Sequence, residues 1–147
     1  MDLALQHLLA LEGAQVVVHG RDASRCEAVA GSIRAAGGIA HVALGDLTAK
    51  AEADTVIEQV RSAVGSIDIL INNVGGNEAA GGGLNGWFND TEDVWAGTYQ
   101  QNVVAAVRMI TAFVPTMRER GWGRVINIAS AGGTDQHDRQ PLARTRA

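Results

Sequence analysis

The stretch Ile67-Asp68-Ile69-Leu70-Ile71-Asn72-Asn73-Val74-Gly75 decides how the rest of the chain is read. Five residues rich in isoleucine suit a strand buried on both faces, and Asn-Asn-Val-Gly ends it with residues that tolerate a tight turn. Working back, Ala51 to Val64 reads as a helix with Val56, Ile57 and Val60 on one face. Before it lies a strand, Ile39 to Leu44, leading into Gly45-Asp46-Leu47-Thr48. Earlier still, Ser24 is expected to cap a helix running to about Ala36, ended by Gly37-Gly38. That helix follows the β-branched run Gln15-Val16-Val17-Val18-His19. Residues 2–12 form a first helix stopped by Gly13.

Working forward, the glycine-rich stretch 75–86 interrupts the rhythm, and helix resumes from Thr91 to about Arg120, where Pro115 should bend it. A fourth strand, Arg124 to Ile128, runs into Ala129-Ser130-Ala131-Gly132-Gly133. Strands alternating with helices of ten or more residues imply βαβ units and a parallel sheet covered on both faces. Right-handed crossovers then give an α/β, doubly wound, Rossmann-like fold. Ligands of such sheets lie beyond the carboxyl ends of the strands. Arg21, Asp46, Asn73 and Ser130 each fall just past a strand end, so they are expected on one rim.

Composition narrows the partners. The 147 residues suit a single domain, and 46% hydrophobic with 19% charged residues is ordinary for a folded protein. A net charge of −4 gives no reason to expect nucleic acid or an anionic membrane. No apolar run has the length to span a bilayer, and Met1-Asp2-Leu3 lacks the basic start of a signal peptide. Cys26 is the sole cysteine and the four histidines have no metal-ligand spacing, so neither a disulfide nor a metal is expected. A reducing, cytoplasmic setting follows from these features.

Asn72-Asn73-Val74-Gly75 after a strand, Asn102 in the long helix, Asp46-Leu47 after an earlier strand, and Gly123-Arg124-Val125-Ile126-Asn127-Ile128-Ala129-Ser130 together resemble the short-chain dehydrogenase/reductase family. The resemblance covers residues 2–134, a Rossmann-like segment, and leaves 135–147 as a divergent tail. It implies hydride transfer between a nicotinamide cofactor and a small alcohol or carbonyl substrate. By resemblance, Asp46 hydrogen-bonds the adenine and Leu47 places its backbone beside that ring. Asn73, Val74 and Gly75 lie along the cofactor ribose. Ser130 is the catalytic serine, and Asn102 helps hold the catalytic lysine. An ordinary Asn/Gly turn is the plain alternative for 72–75, and a strand-end cap for Ser130.

NAD-preferring folds place an acidic residue where this chain has Gly20-Arg21. Arg21 therefore leans the cofactor toward NADP rather than NAD, the alternative being a solvated cation paired with Asp22.

The family's chemistry uses a tyrosine with a lysine one helical turn later, about a dozen residues beyond the serine. Here the tail reads Thr134-Asp-Gln-His-Asp-Arg-Gln-Pro-Leu-Ala-Arg-Thr-Arg-Ala147, and the only tyrosine and lysine are Tyr99 and Lys50. The strand and glycine-rich phosphate loop that open a dinucleotide fold are also missing. The sheet is thus expected to be incomplete, without its first and its C-terminal strands, and the chain to be inactive by itself. A displaced start and a shifted frame near residue 135 would produce this pattern. The strand absent from the centre would leave those at 15–19 and 67–71 about 10 Å apart, two strand spacings. They are expected either to close up or to recruit a strand from elsewhere.

A different reading is a non-catalytic nucleotide-binding or interaction module that pairs with a full-length relative, with the helix at 91–120 as an oligomer surface. Gly81-Gly82-Gly83-Leu84-Asn85-Gly86 fits G-x-G-x-x-G but follows no strand, so it reads as a loop, with Trp87 and Phe88 as candidates for a substrate pocket. A hydrolase reading of Ser130 with His137 fails because Ile128 stands where a nucleophile elbow needs glycine.

Overall fold

The computed structural model describes residues 3–73, 75 and 91–129. In chain order these form α1 (Leu3–Leu11), β1 (Gln15–Gly20), α2 (Ala23–Ala35), β2 (Ile39–Leu44), α3 (Lys50–Val64) and β3 (Ile69–Asn72). Then come α4 (Glu92–Tyr99), a π-helical turn (Gln100–Val104), α5 (Ala105–Glu119) and β4 (Arg124–Asn127).

The first two helices stop by the same device. Gly13 and Gly37 both take φ of +87°, a conformation that a side chain disfavours. Each lets the chain fold back, with Ala14 N–H donating to Leu9 and Gly38 N–H to Ile33, which satisfies end-of-helix carbonyls. At the other end of α2 the cap is Asp22, not the expected Ser24: the Asp22 carboxylate accepts the Arg25 N–H at 3.0 Å. An aspartate two residues earlier offers an ionised acceptor to the orphan N–H, and Ser24 becomes the second residue of the helix.

β1 and β2 pair in parallel, from Gln15 opposite Ile39 to Gly20 opposite Leu44. Val16 and Val18 point into one core with Cys26, Val29, Ala30 and Ile33 of α2. The opposite face meets a second core, in which Ala43 of β2 packs with Ala53, Val56, Ile57 and Val60 of α3 and with Ala105, Met109, Phe113 and Met117 of α5. The i, i+3, i+4, i+7 spacing in α3 and the i+4 spacing in α5 are what put those side chains on single faces.

β3 and β4 pair in parallel as a separate two-stranded sheet, Ile69 opposite Arg124 through Asn72 opposite Asn127. Among the described residues β1 and β3 share no ladder. The fold is therefore the α/β, doubly wound arrangement expected, and the two inner strands have not closed up. α5 covers one face of the second sheet, while Val125 and Ile126 of β4 stay exposed.

β3 starts at Ile69 rather than Ile67: the Asp68 carbonyl still accepts the Arg124 N–H of β4, at 2.9 Å, but the Ile67 carbonyl is turned to another partner. The Arg120 guanidinium takes the Ile67 carbonyl at 2.7 Å and the Asp68 carboxylate at 2.9 Å, and also meets Ser66. Arg120 is thus a tie between the end of α5 and the start of β3. The long helix keeps α geometry through Pro115 and departs from it at Gln100–Val104 instead. The carbonyl that Pro115 leaves unpaired belongs to Thr111, an exposed residue, so water can satisfy it.

Candidate functional site

Two strand-end loops make up the described part of the rim. Gly20 ends β1 and Gly45 follows β2, and the Gly45 N–H donates to the Gly20 carbonyl at 3.2 Å, carrying the ladder one step further. The next residues are Arg21 and Asp46, whose side chains approach to 3.7 Å. Asp46 is fixed from its other side by Thr48, which gives it a backbone N–H at 2.8 Å and a hydroxyl at 2.7 Å. These two bonds stabilise the carboxylate and, aided by nearby Arg21, hold its pKa below the ordinary range. The Asp46 N–H in turn donates to the Glu52 carboxylate at 2.7 Å.

Leu47 points the other way. Its side chain is buried in the core, and its carbonyl, with that of Thr48, accepts from Arg108 Nη1 at 2.5 and 2.7 Å. The loop is therefore pinned below by apolar packing and by α5, leaving the Asp46 carboxylate partly exposed. Close approach of α3 also requires Gly45: a Cβ there would lie 2.8 Å from a Val56 methyl and 3.2 Å from the Glu52 carbonyl.

The second loop follows β3. Asn72 and Asn127, opposite each other in register, join side chains at 2.8 Å where the two strands end. Asn73 is exposed just beyond. Gly75 sits so near the π-helical turn that a Cβ on it would lie 2.7 Å from Asn102 Oδ1. The Asn102 amide donates back to the Thr98 carbonyl at 2.9 Å. Irregular turns of this kind free backbone groups and recur at functional sites.

One helical stretch touches both loops: Asn102 lies against Gly75, and Arg108 holds 47–48. Six residues of helix separate them, roughly 9 Å. Arg21 and Asp46 thus meet at one loop, and Gly75 and Asn102 at the other. Val74 and Ser130 lie outside the described residues, as do the 81–86 glycine run, Trp87, Phe88, His137 and the 135–147 tail.

Sequence reading missed four contributors: Thr48, Gly45, Arg108 and His19, whose Nε2 meets the Gly45 carbonyl at 3.0 Å. Asp-x-Thr is an Asx-turn signature and could have exposed Thr48. Nothing local marks Arg108, whose partners lie about sixty residues away in sequence. Among the described residues no group of three His, Cys, Asp or Glu is disposed to hold a metal, and no helix is long and apolar enough to cross a membrane. Lys50 is paired with Asp54 at 2.7 Å on α3, and Tyr99 ends α4, so the two do not form a Tyr/Lys pair on one helix.

Comparison with known proteins agrees with this geometry. The family model described as short chain dehydrogenase matches residues 3–142. An oxidoreductase of Bacillus subtilis, YvrD, is 35% identical over 122 residues, 83% of this chain and 44% of that protein. The ketoacyl reductase HetN of Nostoc is 35% identical over 126 residues, 85% of this chain and 42% of that one. The chain therefore spans less than half the length of these two relatives. Among solved structures, a metagenomic short-chain oxidoreductase in complex with NADP superposes with a TM-score of 0.78 at 31% identity, covering 96% of this chain and 59% of that one. L-sorbose reductase of Gluconobacter frateurii, complexed with NADPH and L-sorbose, gives 0.78 at 33%, covering 88% and 48%. A 7α-hydroxysteroid dehydrogenase complexed with NADH and a bile-acid ligand gives 0.80 at 25%, covering 92% and 52%.

Proposed function

Since this chain belongs to the short-chain dehydrogenase family, we propose that it forms the adenosine-binding side of a cytoplasmic, NADP-dependent oxidoreductase acting on a small alcohol or carbonyl compound. The observation that carries this reading is the Arg21–Asp46 pair at the joined ends of β1 and β2. The donor set suits a phosphorylated adenosine. Arg21, with a side chain 60% exposed, offers a guanidinium to a 2′-phosphate, and Asp46, anchored by Thr48, offers an acceptor to the adenine amino group. Leu47 would present its backbone beside the ring, and Asn73, Val74 and Gly75 would follow the ribose. Asn102 and Ser130 take the catalytic-side roles. The nicotinamide, when bound, supplies the hydride exchange.

In this reading dinucleotide binding by these residues is separable from turnover, since the Tyr-x-x-x-Lys pair of the family's chemistry is not among them. General acid–base help of that kind is worth about 10²- to 10⁴-fold. Titrating the chain with NADPH and following nicotinamide fluorescence tests the reading. Binding should weaken about 10- to 100-fold in Arg21→Ala, the loss of a charged hydrogen bond, while NADH affinity holds. An Arg21→Ala chain that binds NADPH as well as the parent would rule the phosphate role out.

A second reading is favoured by the lack, among the described residues, of a ladder between β1 and β3, and by a stripe on the long helix. Trp95, Tyr99, Val103 and Val107 recur every four residues and are all exposed. In this reading the chain is a non-catalytic module that pairs with a full-length relative or with itself. Sedimentation should then show association that Val103→Glu with Val107→Glu abolishes.

A further inference from the structure

We propose that His19 is a positioning residue that fixes the Asp46 loop against the Arg21 loop and so sets the discrimination between phosphorylated and unphosphorylated adenosine ribose. The inference rests on the reading of Arg21 as the 2′-phosphate contact. His19 lies in β1, two residues before Arg21, yet its Nε2 reaches past its own register partner Ala43 to the carbonyl of Gly45, at 3.0 Å. A carbonyl can only accept, so Nε2 carries the proton. Burial pushes the imidazole pKa down, against the Gly45 carbonyl and the Asp46 charge, which push it up. At neutral pH the ring is therefore a neutral donor.

The consequence is a peptide held at both poles. The Gly45 carbonyl is bound to His19, and the N–H of the same Gly45–Asp46 peptide is bound to Glu52; the Gly45 N–H, in the peptide before it, is bound to Gly20. Glycine, required at 45 by the closeness of Val56, is also the residue type whose backbone is freest to rotate. Without the imidazole, the one peptide that sets where Asp46 points would lose its carbonyl anchor. Asp46 and Arg21 would then no longer keep their 3.7 Å relation. A phosphate contact and an adenine contact must be placed together for either to discriminate, and sub-ångström errors in such placement are costly.

The test compares the full chain with His19→Leu, which removes the donor, and His19→Gln, which keeps an N–H at similar reach. The ratio of NADPH to NADH affinity, read by fluorescence titration, should fall about ten-fold in His19→Leu and return in His19→Gln. Equal weakening toward both cofactors, or no rescue by glutamine, would overturn the proposal, since a merely structural histidine gives that result. Should His19→Leu not fold, His19→Asn, whose amide is too short to reach Gly45, takes its place with the same expectation. A second measurement stands apart from cofactor binding. Backbone and Arg Nε resonances of Asp46 and Arg21 in ¹H–¹⁵N spectra should move in His19→Leu and be restored in His19→Gln. If they stay put, His19 does not position the loop. If they move while the parent chain binds neither dinucleotide, the NADP reading fails and the positioning role survives.

Discussion

Asp46 shows how far a single residue can be argued. Its carboxylate is stabilised chiefly by the Thr48 N–H and hydroxyl, so its folded pKa lies below the unfolded value. A depressed carboxylate contributes stability that is fully present above the unfolded pKa and is lost as the pH falls through the folded one. The window is therefore acidic, below the ordinary carboxylate range. Thr48→Ala removes the hydroxyl donor, and we expect the Asp46 titration midpoint, followed by carboxyl ¹³C shifts, to rise. The accompanying loss of stability should be about 1 kcal/mol, kept small because the carboxylate is partly solvated. An unchanged midpoint would mean that the backbone N–H alone holds the charge. Asp46 and Arg21 were legible in the sequence because residues just past strand ends are brought to one rim by topology. His19 was not, because a histidine in an apolar strand looks the same whether or not its ring spans two loops.

The secondary-structure elements were legible where hydrophobic period and glycine stops agreed. α3 was visible from Val56, Ile57 and Val60, and α2 ended where Gly37 and Gly38 said it should. Boundaries set by distant partners were not: β3 begins late because Arg120, more than fifty residues on, takes the Ile67 carbonyl. The π-helical turn was equally hidden, since Gln100-Gln-Asn-Val-Val104 carries no glycine or proline to mark it. Arg108 is the element-scale counterpart. From α5 it holds two carbonyls of the Asp46 loop while remaining partly buried, so it couples the helix that follows Asn102 to that loop. Arg108→Met keeps the apolar stem and removes both bonds. We expect the unfolding midpoint to fall by an amount equivalent to about 1.5–3 kcal/mol, the range for hydrogen bonds from a charged donor. Hydrogen exchange at the Leu47 and Thr48 amides should rise more than elsewhere. Exchange raised evenly over the chain would instead mean that Arg108 stabilises only the global fold.

At the scale of the molecule, what matters is that among the described residues the two parallel pairs of strands are not joined by a ladder. Cohesion between them passes through side chains: Ala43 on β2, the apolar faces of α3 and α5, and Leu70 on β3. The other core, around Val18 and Ile33, belongs to α2 and the first sheet, with Leu9 and Ala10 of α1 packed against it. Cooperativity in a parallel sheet normally runs through continuous backbone pairing, so a fold joined through side chains rather than a ladder should open in parts. Ile33→Ala, at a fully buried site, and Phe113→Ala, nearly so, each cost about 2–5 kcal/mol by cavity formation. Their effects should separate in space. We expect native-state hydrogen exchange to show Ile33→Ala lowering protection across β1, α2 and β2, and Phe113→Ala lowering it across α5, β3 and β4. α3 packs against both sheets' elements and should respond to either substitution. If each variant lowered protection uniformly over all the strands, the two sheets would be one cooperative unit, and the side-chain bridge through α3 and α5 would suffice to replace the missing ladder.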